Sequence, residues 1–388
     1  MADIKALAVN AALKAFSILP VRNVILFESS PDFACNTYPV YDALRKMPGV
    51  REKYRLMWYV SDERFVPEDF PREDMIYLEP TSLKEIFRHI LYRATARCTV
   101  MCNRVKNPVR KKQLSVFLCH GSSLKRVRGM YEIGKKIDCV LCQSHFFDDV
   151  ICIESNVEKK QLFHTGYPRC DALFEDHSSL KGQFGVPEGA KLIMWLPTYR
   201  NHKNGAMETD GAGGLPIINS REDIEKLTRI LEKNNTYIIL KPHPAQDLSV
   251  IDAHSTSRFK VISDFDLSEK GSRLYELLAS SDALVTDYSS VFYDYLLCDR
   301  PIGVTTDDAE EYGKTRGFAF EGVTELFGKA ASLIPDVGAF CDFISDVSAG
   351  SDDMSEGRRE VRELTSMYTD NRSAVRTAEF ILKKLDEQ

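Results

Sequence analysis

No apolar run of about 18 residues occurs in the 388-residue chain, so no segment is expected to cross a bilayer as a helix. A cysteine framework is missing too. The ten cysteines lie scattered through apolar sequence, the usage of reduced thiols in a cytosolic chain rather than of a disulfide-stapled secreted one. There are no internal repeats and no low-complexity segments, which sets aside solenoids and disordered tails. Positive charge is not in excess: 51 Lys and Arg face 57 Asp and Glu for a net charge of −6, against a general nucleic-acid binder. Metal-ligand spacings are also lacking. Only Cys139 and Cys142, in "IDCVLCQS", have CxxC spacing, and no second pair follows. They sit in a strand-like run whose positions i and i+3 face opposite sides, so neither a metal nor a redox role is expected of the pair.

What the chain does contain is alternation. From residue 24 onward, helix-like stretches separate the apolar runs "VILFES" (24–29), "RLMWYV" (55–60), "MIYL" (75–78), "SVFLC" (115–119), "CVLCQ" (139–143) and "QLFHT" (161–165). The Ser- and Gly-rich stretch "DHSSLKGQFGVPEGA", residues 176–190, interrupts the series. A second series follows: "KLIMWL" (191–196), "TYIIL" (236–240), "FKVIS" (259–263), "ALVT" (283–286) and "PIGVT" (301–305). Alternating βα order predicts parallel sheets with helices on both faces. The length also exceeds what one hydrophobic core usually serves. The expected architecture is therefore α/β, with two Rossmann-like domains over residues 1–178 and 179–388 and a cleft lined by the carboxyl ends of their strands. Ahead of the first strand, "MADIKALAVNAALKAFSILP" has no basic n-region and no small-residue cleavage site, and Asp3, Lys5 and Lys14 break it up. It reads as an amphipathic helix ending at Pro20, packed on the protein or resting on a membrane. Residues 201–220, "NHKNGAMETDGAGGLPIINS", read as a loop, either a lid or an inert insertion.

Several strands are expected to end in groups that chemistry can use. "SVFLCHGSSLKRV" finishes in His120, Gly121, Ser122 and Lys125, and "LIMWLPTYR" in Thr198 and Arg200. "YIILKPHP" finishes in Lys241 and His243, and "LVTDYSS" in Asp287, Ser289 and Ser290. Two histidines at strand ends in opposite halves, each near a lysine, would address one cleft if the halves face each other. A helix starting directly after a strand leaves its first N–H groups unpaired and its positive dipole end exposed, a corner suited to phosphate. The plainer reading of Asp287 or Ser289 is a helix N-cap.

The set "HGSSLK", "GYPRCD", "LPTYR", "KPHP" and "TDYSSVFYDY", in this order, resembles the CDP-glycerol glycerophosphotransferase family, the enzymes that prime and polymerise teichoic-acid-type polymers. The opening "FESSPDFACNTYPVYDAL" is similar to the family's N-terminal strand and helix. The resemblance implies a GT-B architecture of two Rossmann-like domains about a cleft, and implies that Arg169 and Thr198 contact the donor. One departure stands out. The family's first motif reads His-Gly-Thr-Pro before the lysine, whereas Ser122 and Ser123 follow Gly121 here, which bears on donor and acceptor preference.

On this reading the chain transfers glycerol phosphate or ribitol phosphate from CDP-glycerol or CDP-ribitol to a hydroxyl of a lipid-linked or polyol-phosphate acceptor, releasing CMP, in cell-wall or capsule polymer synthesis. His120 is the candidate general base, with His243 at the transferring or leaving phosphate, and the two roles are interchangeable at this level. Gly121, Ser122, Arg169, Thr198, Arg200, Lys241, Ser289 and Ser290 are candidate donor ligands, the last two through the helix N-terminus. Asp294, one turn beyond Ser290, is a candidate acceptor for donor hydroxyls, or a first-turn acid favoured by the dipole. No cofactor and no metal are expected. A GT-B glycosyltransferase using a nucleotide-sugar is the alternative, and a non-catalytic scaffold is a third reading. Between Arg88 and Lys136 stand thirteen Lys or Arg and one acid, Glu132, including "RVKNPVRKK" and "LKRVRGMYEIGKK". Such a stretch suits anionic lipid or a polyphosphate acceptor. Location is accordingly expected to be cytoplasmic, peripheral to the inner face of the membrane.

Overall fold

The apolar runs of the first half become seven parallel strands in the computed structural model, which describes residues 2–122, 124–126, 133–198, 215–242 and 255–388, with side chains from Val9 onward. These are β1 (Arg22–Glu28), β2 (Arg55–Val60), β3 (Met75–Tyr77), β4 (Ala96–Met101), β5 (Leu114–Phe117), β6 (Cys139–Leu141) and β7 (Leu162–Phe163), in the order β3-β2-β1-β4-β5-β6-β7. A second sheet holds β8 (Lys191–Leu196), β9 (Thr236–Leu240), β10 (Phe259–Val261), β11 (Ala283–Thr286), β12 (Ile302–Thr305) and β13 (Ser332–Ile334), in the order β10-β9-β8-β11-β12-β13. Both sheets are parallel throughout and both reverse strand order once, between β1 and β4 and between β8 and β11. Each is therefore a doubly wound, Rossmann-like sheet with a topological switch point.

Local sequence explains the helices. Ser220 accepts from Asp223 N–H while Asp223 reaches back to the cap, and Ile224, Leu227 and Leu231 bury one face of the helix Arg221–Lys233 against the second sheet. Ser82 and Glu85 form the same capping box for the helix Leu83–Thr95, which runs without a break into β4. Val24 and Leu26 of β1 pack with Met57, Tyr59, Ile76 and Tyr92 in the first half's core.

The two compact units do not meet at a single point near residue 178. Unit 1 comprises Met1–His120, Arg128–Asp171 and Asp370–Gln388, and unit 2 comprises Gly121–Val127 and Ala172–Thr369. The return of the C-terminus to unit 1 has a physical cause. The Asp171 carboxylate accepts the N–H groups of Ser373 (2.9 Å) and Ala374 (2.8 Å), the first turn of the helix Ser373–Asp386. From that helix Phe380 stacks on Phe163 of β7, centroids 4.1 Å apart. Burial raises the Asp171 pKa to about 6 against the pull of those two N–H donors.

Of the polar stretch 201–220, the residues up to 214 lie outside the described ones. Its end is not loop surface: Leu215, Ile217 and Ile218 join the core of unit 2.

Candidate active site

In unit 1, parallel strands bring the carboxyl ends of β1, β5 and β7 to one edge of the sheet. Asn36 ties them together. It occupies the N-cap position of the helix Thr37–Lys46 but makes no side-chain cap there. Its Nδ2 donates instead to the carbonyls of Leu118 (3.0 Å) and Cys119 (2.8 Å), just past β5, while its Oδ1 accepts from Arg169 N–H at 3.2 Å. Arg169 is buried, 7% exposed, and donates from Nη1 to the main-chain carbonyl of His120. Its guanidinium also lies 5.3 Å from the centre of the Tyr167 ring. His120 is exposed on a backbone held from two sides. Arg169, expected as a donor contact, is thus joined to His120 through the histidine's carbonyl.

Cys35 and Asn36 were missed by the sequence reading, which took "FESSPDFACNTYPVYDAL" only as the family's N-terminal strand and helix. Cys35 Sγ lies 3.5 Å from Arg169 Nη1. A hydrogen bond from the Cys102 thiol outweighs burial, and the Arg169 charge adds to it, lowering the Cys35 thiol to about 6. Only the positive φ of Cys35, 55°, and the fold reveal this arrangement.

In unit 2, the switch point is stitched by Asp287. Its two carboxylate oxygens accept Thr198 N–H at 2.9 Å each, and Oδ2 also accepts the Thr198 hydroxyl at 2.9 Å. Thr286 Oγ1 adds a bond to the Leu196 carbonyl at 2.7 Å. Asp287 therefore joins the ends of β8 and β11. Ser289 and Ser290 follow it, half-buried, ahead of the short helix Val291–Tyr295. That helix has only five residues before a 3-10 turn, Leu296–Cys298, so its dipole is weak.

Two expected donor ligands are otherwise engaged. Lys241, 8% exposed, pairs with Asp264 at 3.0 Å. Asp294 is fully buried and accepts the Tyr275 hydroxyl at 2.5 Å. Of the "HGSSLK" motif, Gly121 is half-exposed and Ser122 is buried at 3%, while Leu124 and Arg126 exchange main-chain hydrogen bonds with Ala319 and Gly317. Arg200 and His243 lie outside the described residues.

Four residues of the basic stretch are engaged within unit 1. Arg88 donates to the Glu73 and Met75 carbonyls, Arg97 to that of Leu385, and Arg110 to those of Ser17 and Leu19. Burial lowers the Lys106 ammonium to about 8, with its Nζ 4.9 Å from the Tyr59 ring centre. Lys111 and Lys112 remain exposed. Among the described residues no helix is long and apolar enough to cross a membrane.

Comparison with known proteins follows the same lines. A family model described as CDP-Glycerol:Poly(glycerophosphate) glycerophosphotransferase matches residues 12–383. The chain is 26% identical over 336 residues to the teichoic acid poly(glycerol phosphate) polymerase of Bacillus subtilis (strain 168), covering 79% of this chain and 42% of that protein. It therefore spans less than half of that relative's length. It is 24% identical over 405 residues to the teichoic acid glycerol-phosphate transferase of Staphylococcus aureus (strain NCTC 8325 / PS 47), covering 97% of each. Among solved structures, the wall teichoic acid polymerase TagF superposes with a TM-score of 0.74 at 18% identity, over 100% of this chain and 96% of that one. The fold is of the GT-B type.

Proposed function

The chain belongs to the CDP-glycerol:poly(glycerophosphate) glycerophosphotransferase family, and from that premise we propose that it transfers glycerol phosphate or ribitol phosphate from a CDP-alcohol to a hydroxyl of a lipid-linked or polymer acceptor, releasing CMP. The observation that carries the proposal is the switch point of unit 2, where Asp287 and Thr198 are bound to each other and Ser289 and Ser290 stand half-exposed directly after them. Nucleotides bind such sheets at that crevice, and hydroxyl and N–H donors there suit a diphosphate.

In the transfer, the acceptor oxygen attacks the distal phosphorus in line, and the bond from that phosphorus to the bridging oxygen breaks, its electron pair leaving with CMP. His120, exposed just beyond β5, takes the attacking hydroxyl's proton. His243, by family resemblance, binds the departing phosphate. Arg169 contributes positive charge and holds the His120 backbone. Asp294 acts by orienting the Tyr275 hydroxyl rather than by direct contact. Donor charge is neutralised by these groups without a metal ion.

The acceptor side calls for a membrane-facing surface, and unit 1 has apolar side chains for it: Ile18 (86% exposed), Leu83 (86%) and Phe87 (53%). Phe16 meets Phe87 edge-on at 5.6 Å, joining the N-terminal helix to the helix Leu83–Thr95. Exposed Lys14, Lys84, Lys111 and Lys112 lie on the same elements or beside Arg110, which holds the end of the N-terminal helix. This surface fits shallow insertion into an anionic bilayer.

The test is donor choice. Incubation with CDP-glycerol, CDP-ribitol and UDP-sugars in the presence of a lipid-linked acceptor should release CMP only from a CDP-alcohol, and mass analysis of the product separates one added unit from a polymer. UDP release with no CMP would establish the glycosyltransferase reading instead.

A further inference from the structure

The CxxC spacing of Cys139 and Cys142 carries nothing by itself, but the fold gives Cys142 other neighbours. β6 and β7 run parallel with Leu141 opposite Phe163, and Cys142 N–H donates to the Phe163 carbonyl at 3.0 Å. Cys142 and His164 are thereby the next residues beyond two paired strands. After Cys142 the chain turns through His145–Phe147 into the helix Asp148–Ser155, which brings Asp148 back over them. The Asp148 carboxylate lies 2.6 Å from His164 Nε2 through Oδ1 and 3.0 Å from His145 Nδ1 through Oδ2. The two imidazoles are 4.0 Å apart, centre to centre. Donor atoms of Cys142, Asp148 and His164 all lie within 4.8 Å of one another. Cys142 is fully buried, the side chains of His164 and Asp148 are 14% and 18% exposed, and that of His145 is 68% exposed.

We propose that Cys142, Asp148 and His164, with His145 as fourth ligand, bind one divalent transition-metal ion of the zinc class. A thiolate, a carboxylate and two imidazoles form the mixed donor set that tetrahedral zinc takes, whereas magnesium and calcium take oxygen alone. Zinc distances of about 2.0 to 2.3 Å place tetrahedral donors roughly 3.3 to 3.7 Å apart. The hydrogen-bonded pairs must open, and the wider ones close, by an amount side-chain rotation supplies. Exposed His145 provides the entry path. On binding, the Cys142 thiol proton passes to solvent, each neutral imidazole keeps its proton on the ring nitrogen away from the metal, and the freed thiolate, carboxylate and ring-nitrogen lone pairs go to the metal. The ion would clamp the ends of β6 and β7 and the start of the helix between them, just ahead of the segment from Thr165 to Arg169. None of its ligands has a role in the proposed transfer, so the site stands or falls separately.

The test is a titration of the metal-stripped full chain with Co²⁺, read by its visible d–d absorption and near-ultraviolet thiolate-to-metal band, followed by displacement with Zn²⁺. One equivalent with tetrahedral intensity is expected. Cys142→Ser should abolish the thiolate band, and His164→Gln should weaken binding by at least ~10-fold. Cys139→Ser, outside the cluster, should leave both unchanged. Should Cys142→Ser not fold, His164→Gln together with a zinc-induced, magnesium-independent rise in wild-type melting temperature decides the matter. No tetrahedral spectrum at excess Co²⁺, or the same spectrum and affinity in Cys142→Ser and His164→Gln, overturns the proposal.

Discussion

The two sheets meet the same problem at their switch points and solve it with carboxylates of opposite disposition. In unit 1, Glu28 ends β1, and its Oε2 accepts the N–H groups of Cys102, Asn103 and Arg104 just beyond β4 at 3.0 to 3.3 Å. In unit 2 the carboxylate follows the other central strand: Asp287 comes after β11 and reaches Thr198 beyond β8 with both oxygens. Glu28 is fully buried, and burial raises its pKa against its three backbone donors. Its job ends at joining strands, and the groups suited to chemistry in unit 1, His120 and Arg169, sit further along the edge, beyond β5 and β7. Beside Asp287, by contrast, Ser289 and Ser290 stay half-exposed. A switch point plugged by main-chain contacts and one fringed with half-exposed hydroxyls differ in what they offer a ligand. We propose on this ground that the nucleotide donor binds unit 2 and that unit 1 supplies the proton-accepting group.

The largest expected effect probes that division of labour. His120→Ala should lower turnover by roughly 10²-fold or more, with CDP-alcohol affinity and melting temperature near wild type. Loss of donor affinity with intact turnover would move the histidine to the donor side. Next comes the pair of carboxylates. Asp287→Asn removes an acceptor from a site that uses both oxygens, and should cost about 1–3 kcal/mol of stability and weaken donor binding. Glu28→Gln keeps the one oxygen that accepts all three donors, so calorimetry should find it close to wild type, with donor affinity unchanged. Equal losses in both variants would erase the contrast drawn here.

A smaller effect is expected at the surface of unit 1. Replacing Lys111 and Lys112 with glutamine should reduce binding to anionic vesicles by about 1 kcal/mol per lysine at low salt, while leaving a short soluble acceptor unaffected. Arg110 is left in place because it holds the carbonyls of Ser17 and Leu19, and its loss would disturb the N-terminal helix. Binding equal to wild type and insensitive to salt would remove these lysines from the contact.

The smallest effect concerns pH. Asp171 holds its proton more tightly folded than unfolded, about 6 against 3.8, so its contribution to stability is full below pH 3.8 and lost as pH rises through about 6. Asp171→Asn should flatten that slope by a few degrees of melting temperature across the window; an unchanged slope would mean that another group produces it.

Much of the fold was legible locally. β2, β8, β9 and β11 span the residues of the apolar runs "RLMWYV", "KLIMWL", "TYIIL" and "ALVT", because strands buried on both faces of a parallel sheet read as unbroken hydrophobic sequence. Two strands were not legible. "ARCTVM" became β4, the centre of the first sheet, although Arg97 and Thr99 interrupt its apolar pattern and no turn residue separates it from the preceding helix. "SLI" became β13, an edge strand with Leu333 49% exposed and too short to stand out.

The sequence by itself determined the α/β class, the doubling of the sheet and the family, since hydrophobic period and motif chemistry are local properties of the chain. It also named His120, Arg169, Thr198, Ser289 and Ser290. Only the tertiary structure decided that Asp287 is a stitch, that Lys241, Arg88, Arg97 and Arg110 are engaged internally, that Cys35 and Asn36 stand beside Arg169, and that the last helix returns to the first unit. Each of these depends on which distant residue comes within hydrogen-bonding distance. That is set by strand order and parallel register, which no local pattern encodes.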